Sequence, residues 1–157
     1  MTDTATDTNA ATETSAESGL TGFRRGAFGL YRVLIALYTL GVLVQIFLAG
    51  LGVYGADGSP TDDDASSTLD PHRTIGHILT QPVALLVLIA ALLARPGRKI
   101  IPLNVALFVL GIAQVVLGIA GEGTPFLGGL HAVNAILVLG LAATLTVKAN
   151  PGLRRTV

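Results

Sequence analysis

Hydrophobic and polar positions divide the chain into a polar N-terminal stretch followed by four long apolar runs with short polar breaks between them. The runs cover residues 33–54, 72–94, 100–120 and 130–147. A helix rises about 1.5 Å per residue, so about 20 residues cross a hydrocarbon core of about 30 Å. Each run meets or approaches that length. A buried helix in a water-soluble protein keeps a polar outer face, and four such runs in succession, almost without charge, leave little surface for water. The pattern predicts an all-α fold, a transmembrane up-down four-helix bundle. The breaks are short, especially between the second and third runs, so consecutive helices are expected to be antiparallel neighbours. The lipid bilayer is then the first partner.

Residues 1–22 break the pattern: they are rich in Thr, Ala, Ser, Asp and Glu and contain no Lys or Arg. Such a stretch buries too little apolar surface to offset the entropy of ordering and is expected to be a disordered acidic tail. It is followed by the membrane domain, residues 23–148, and by a short basic tail, residues 149–157. A secretory signal would place its basic region first, so the first apolar run is expected to remain in the protein.

Net charge adds nothing as a sum, because 10 basic and 10 acidic side chains cancel. Their placement says more. Arg24, Arg25 and Arg32 precede the first run, Arg95, Arg98 and Lys99 lie between the second and third, and Lys148, Arg154 and Arg155 follow the fourth. The opposite breaks carry Asp57, Asp62, Asp63, Asp64, Asp70 and Glu122, with Arg73 as their basic residue. By the positive-inside rule the basic ends face the cytoplasm, giving a multi-pass cell-membrane protein with both termini inside. A neutral, lipid-suited chain of this kind is not expected to bind nucleic acid. The absence of Cys excludes disulfides and thiolate-held metal, so any metal must be held by His or by oxygen.

An internal repeat of two helices is suggested by the way the odd-numbered runs end. Residues 45–52 (QIFLAGLG) lie over 114–121 (QVVLGIAG), and each is followed by an outer break and a helix expected to open with His, His72 or His131. Gly76 and Ala135 each follow four residues later. Two halves running in the same sense are related by an axis along the membrane normal, which would set the two imidazoles opposite each other. His72, Gly76 and Thr80 form one stripe at helical spacing, as close packing in membranes requires, and Asn134 follows His131 by about one turn. Other intramembrane polar residues, Gln45, His77, Gln81 and Gln114, also fall towards the outer side, whereas the inner half is expected to be almost wholly apolar apart from Asn104. Polar groups are costly in lipid and normally face the bundle interior, so the cluster points to a site opening outward.

Two neutral imidazoles at equal depth on facing helices meet the need of six-coordinate haem iron, and a bundle core offers an apolar slot for the ring. Arg73, beside His72, stands where an anionic propionate would be expected. The bland reading of the same residues is half-solvated histidines at helix N-termini that bind nothing, with the Gln and Asn side chains making interhelical hydrogen bonds. A third reading takes His72, His77 and His131 with Asp70 or Glu122 as a zinc or copper site. Against it, His77 lies about 140° around the helix from His72.

The segment 72–76 (HRTIG) opening the second run, and 130–135 (LHAVNA) opening the fourth, resemble the four-helix haem modules of haem A synthase. Taken whole, with a basic entry between Arg24 and Arg32 and FLAGLG ending at Gly52, the chain resembles more closely an uncharacterised family of small prokaryotic four-helix membrane proteins, over about residues 29 to 148. The resemblance implies that His72 and His131 are axial ligands of haem b and assigns no role to His77. The synthase has two such modules and an acidic residue a turn before its first ligand, where this chain has Asp70 and then Pro71. A single module would need a homodimer to imitate it, and no enzyme activity is carried over. The expected function is electron transfer or haem handling, with a redox partner or respiratory complex. The alternative is a cofactor-free structural or accessory subunit.

Overall fold

A computed structural model describes residues 4–56, 66–150 and 152, with side chains from residue 21 onward. Residues 1–20 of the acidic tail and most of the acidic insertion after Ala56 therefore lie outside the described side chains, as do Arg154 and Arg155. We number the helices α1 (Thr4–Ala56), α2 (Asp70–Ala94), α3 (Ile100–Gly121) and α4 (Pro125–Ala149). No strand occurs among the described residues. Four segments, Thr21–Ala56, Asp70–Ala94, Ile100–Gly121 and Pro125–Ala149, are long and apolar enough to cross a membrane. The chain is a multi-pass membrane protein.

Each helix packs on its neighbours in sequence, and α4 packs on α1 to close the ring. Thus α1 faces α3, and α2 faces α4, across the bundle axis. The core is a large-to-small fit. On α1 the stripe Tyr31, Ile35, Tyr38, Val42 and Gln45 turns inward, and on α2 the buried residues are mostly alanine: Ala84, Ala90, Ala91 and Ala94. These alanines share one core cluster with the two fully buried tyrosines of α1, so large side chains on one helix are balanced by small ones on another.

Short local signals set the turns. Arg95 closes α2 in the left-handed region (φ 48°); Pro96, which cannot continue the helix and disfavours the helical conformation in the residue before it, follows. Gly97 (φ 129°) then completes the reversal, its carbonyl accepting from the Ile100 amide. Between α3 and α4, Thr124 is extended and Pro125 occupies the first helical turn, where its missing N–H costs nothing. This proline starts α4 five residues before the apolar run does. His131 therefore lies inside α4 rather than at its opening, contrary to the reading of both histidines as helix N-terminal residues; His72 does sit in the first turn of α2.

α2 is not a regular helix. Leu79–Val83 forms a π-helical turn around Pro82, since a proline has no N–H for the carbonyl four residues back and displaces the ladder locally. The inner face of this turn fits closely on α3: the Thr80 carbonyl lies 2.9 Å from where a Cβ on Gly111 would stand.

The inner half is more polar than the sequence pattern suggested. Asn104 Nδ2 donates to Tyr31 Oη (3.1 Å) and to the Ile100 carbonyl (2.9 Å), joining α3 to α1 across the axis. The hydroxyls of Thr39 and Thr146 stand 2.8 Å apart over the Ile35 carbonyl. Arg32 donates to Asn150 Oδ1 at 2.8 Å, holding the start of the first apolar run to the end of the last. Thr39, Thr146 and Tyr31 read as ordinary span residues because the bonds that join them to another helix exist only once the helices pack.

Candidate histidine site at the outer end

The repeat is visible as geometry. His131 Nδ1 lies 2.9 Å from the main-chain carbonyl of Gln114, and His72 Nδ1 lies 3.1 Å from that of Gln45. Each histidine therefore bonds to the backbone of the glutamine that the repeat pairs with it, across α1–α2 in one half and α3–α4 in the other. A carbonyl oxygen only accepts, so both Nδ1 atoms carry the proton and both Nε2 atoms present a lone pair. The two rings face each other across the axis with centroids 6.1 Å apart and planes at 75°. Both are half-buried.

Around His131 the network is closed. Asn134 Nδ2 donates to the Leu110 carbonyl (2.9 Å) and to Gln114 Oε1 (2.6 Å). With its oxygen so engaged, the Gln114 amide directs Nε2 at His131 Nε2, 3.1 Å away. Gly118 makes room for the ring, because a Cβ there would meet His131 Cε1 and Nδ1 at 3.2 Å. The repeat partner of Gly118 is Ala49.

Around His72 the network is open. Gln45 Nε2 donates to the main-chain carbonyl of His72 at 2.9 Å, and its Oε1 is buried without a partner. Gly76 is what lets the amide reach, since a Cβ there would collide with Gln45 Nε2. Ile75, at the place matching Asn134, is 39% exposed and supplies no hydrogen bond. Among the described residues Nε2 of His72 has no hydrogen-bond partner.

The structure thus brings together His72, His131, Gln45, Gln114 and Asn134, with Gly76 as a packing residue. His77 does not join them: it is exposed on the outside of α2, as is Gln81, because the angular offset within the helix carries both away from the axis. Among the described residues no three His, Asp or Glu side chains are grouped so as to hold a metal ion, which removes the geometry for the three-histidine zinc or copper site. Arg73 is already engaged. Its guanidinium pairs with Glu122 at 3.1 Å and Asp70 at 3.4 Å and donates to the Ser66 carbonyl at 3.2 Å. It ties the start of α2 to the α3–α4 turn, a role that spacing along the chain gives no means of seeing.

The fold and this site define a four-helix membrane protein with a diagonal histidine pair. Residues 45–121, just under half of the chain, match the model of the Family of unknown function (DUF6220). The match holds Gln45, His72 and Gln114 and ends before His131. No curated protein and no solved structure matches the chain.

Proposed function

We propose that His72 and His131 are the axial ligands of one haem b, and that the protein is a small membrane cytochrome of b type serving electron transfer or haem handling. The observation that carries this reading is the 6.1 Å separation of the imidazole centres. Two imidazoles that share one metal atom, each at a nitrogen–metal distance of about 2 Å, stand with centres about 6 Å apart. The tautomer supports it as well. Metal-bound imidazoles usually donate the other ring N–H to a carbonyl or carboxylate, and both Nδ1 atoms do so. Haem held there would supply one-electron exchange; the chain would supply two neutral ligands and the carbonyls that orient them. For both Nε2 atoms to serve as ligands, the Gln114 amide would have to leave His131 Nε2.

That closed bond favours a second reading, in which no cofactor binds and the glutamine–histidine pairs fix the register of each helix pair. Spectroscopy separates the two. Protein purified after expression with ample haem should show redox-sensitive Soret and α bands, lost in His72→Ala and in His131→Ala. A folded protein without those bands leaves the register role.

The basic clusters support placing the Arg32–Asn150 end in the cytoplasm of a cell membrane. A cysteine introduced at Gly123 should then react with an impermeant thiol reagent from outside intact cells, and reaction only after lysis reverses the orientation.

A further inference from the structure

The face of α2 turned away from the bundle carries polar side chains where lipid should lie. Thr74, His77 and Gln81 are exposed, with Ile78 (54% exposed) and Leu85 (43%) on the same side. Spaced three and four residues apart, they form one stripe. Among the described residues neither His77 nor Gln81 makes a side-chain hydrogen bond. Gln81 lies near the middle of Asp70–Ala94, too deep for its short side chain to reach either boundary. Polar side chains at that depth normally face protein or a water-filled cavity.

The π-helical turn Leu79–Val83 leaves Pro82 exposed beside Gln81, while its inner side lies against Gly111 of α3.

We infer that this stripe is the contact surface of a homodimer, formed by α2 of two copies. A second copy is the occupant that the chemistry of the stripe suits. Copies inserted in the same sense pair about an axis along the membrane normal, so identical residues meet at identical depth. The residues on this stripe suit such self-pairing: a glutamine amide and a neutral imidazole each hold both a donor and an acceptor, and each can bond its own duplicate. A stripe of like charges would repel itself under the same symmetry. Gln81 pairs with Gln81 of the second copy near the midplane, and His77 with its duplicate nearer the outer face. This inference is independent of haem.

Single cysteines test it without background, because the native chain has none. In membranes, oxidation should link copies through Ile78→Cys and Leu85→Cys at least tenfold faster than through Leu37→Cys or Ile136→Cys, which are more open on α1 and α4 (57% and 67% exposed). Adding Gln81→Leu to the Ile78→Cys chain should lower the crosslinked fraction about tenfold. The bundle's own hydrogen bonds are untouched by that change, so loss of folding does not mimic the result. Equal linking at all four positions, linking that favours Leu37 or Ile136, or a Gln81→Leu change without effect overturns the inference. So does one-step photobleaching of labelled protein in vesicles across all protein-to-lipid ratios; the stripe would then meet lipid or a different protein.

Discussion

The two halves of the bundle hold their histidines with the same backbone bond and different side-chain bonds. In the second half Asn134 takes Gln114 Oε1, and the amide that remains faces His131 Nε2. In the first half Ile75 stands at the matching place, Gln45 turns its amide to the His72 main chain, and Oε1 stays buried without a partner. Asn against Ile is one difference between the closed site and the open one, and it stands beside Gly76, which admits the Gln45 amide, and Gly118, which makes room for the His131 ring. The common part, Nδ1–H to a carbonyl, sets ring orientation and tautomer; the part that differs controls whether Nε2 is free.

Substitutions at matched positions sharpen this contrast. The largest effect is expected at the repeat glycines, which let each histidine-bearing segment approach the helix before it. A Cβ on Gly121 would lie 2.8 Å from Gly128 Cα, which is backbone and cannot turn aside. Gly121→Ala should therefore cost about 2–3 kcal/mol, seen as a lowered unfolding midpoint in micelles. Gly52→Ala first meets the end of the Leu69 side chain, with the Thr68 carbonyl next at 3.0 Å, and should cost about 1 kcal/mol. Equal losses at the two sites would mean that the halves are packed alike.

Asn134→Leu removes two interhelical hydrogen bonds and should cost about 1–2 kcal/mol. It should also free Gln114, so that the 15N resonance of His131 Nε2 moves towards that of His72 Nε2; an unmoved resonance would show that Asn134 does not aim the amide. Gly76→Ala displaces the Gln45 amide from the His72 carbonyl. A loss of about 1 kcal/mol is expected, with the His131 resonances unchanged. The smallest effect belongs to Glu122→Gln. Its ion pair with Arg73 is exposed, the two side chains retaining 63% and 40% of their surface, and a change within about 0.5 kcal/mol is expected.

Hydropathy alone located all four helices, since each span must be continuously apolar. It placed the start of α4 five residues late because Phe126 and Leu127 are interrupted by Gly128 and Gly129, and the helix-starting Pro125 lies outside the apolar run. The match of Gln45 to Gln114 was legible as a repeat, and so were the two histidines that meet. His77 and Gln81 were misassigned to the interior for a different reason. Composition tells that a residue lies at membrane depth, but the side of the helix it takes depends on which stripe the neighbours cover, and the π-helical turn alters the phase of α2 partway along.

By itself the sequence determined the membrane class, the number of spans and the alternation of basic and acidic ends, because lipid imposes those through length and charge, one segment at a time. Only the tertiary structure decided that Gln114 and Gln45 hold imidazoles by their backbone carbonyls, that Asn134 closes one half, and that Arg73 is engaged by Glu122. Each of these is a bond between residues brought together by packing, whose direction depends on the rotation of two helices about their own axes. Hydropathy constrains that rotation weakly in lipid, where an apolar side chain is equally at home facing in or out.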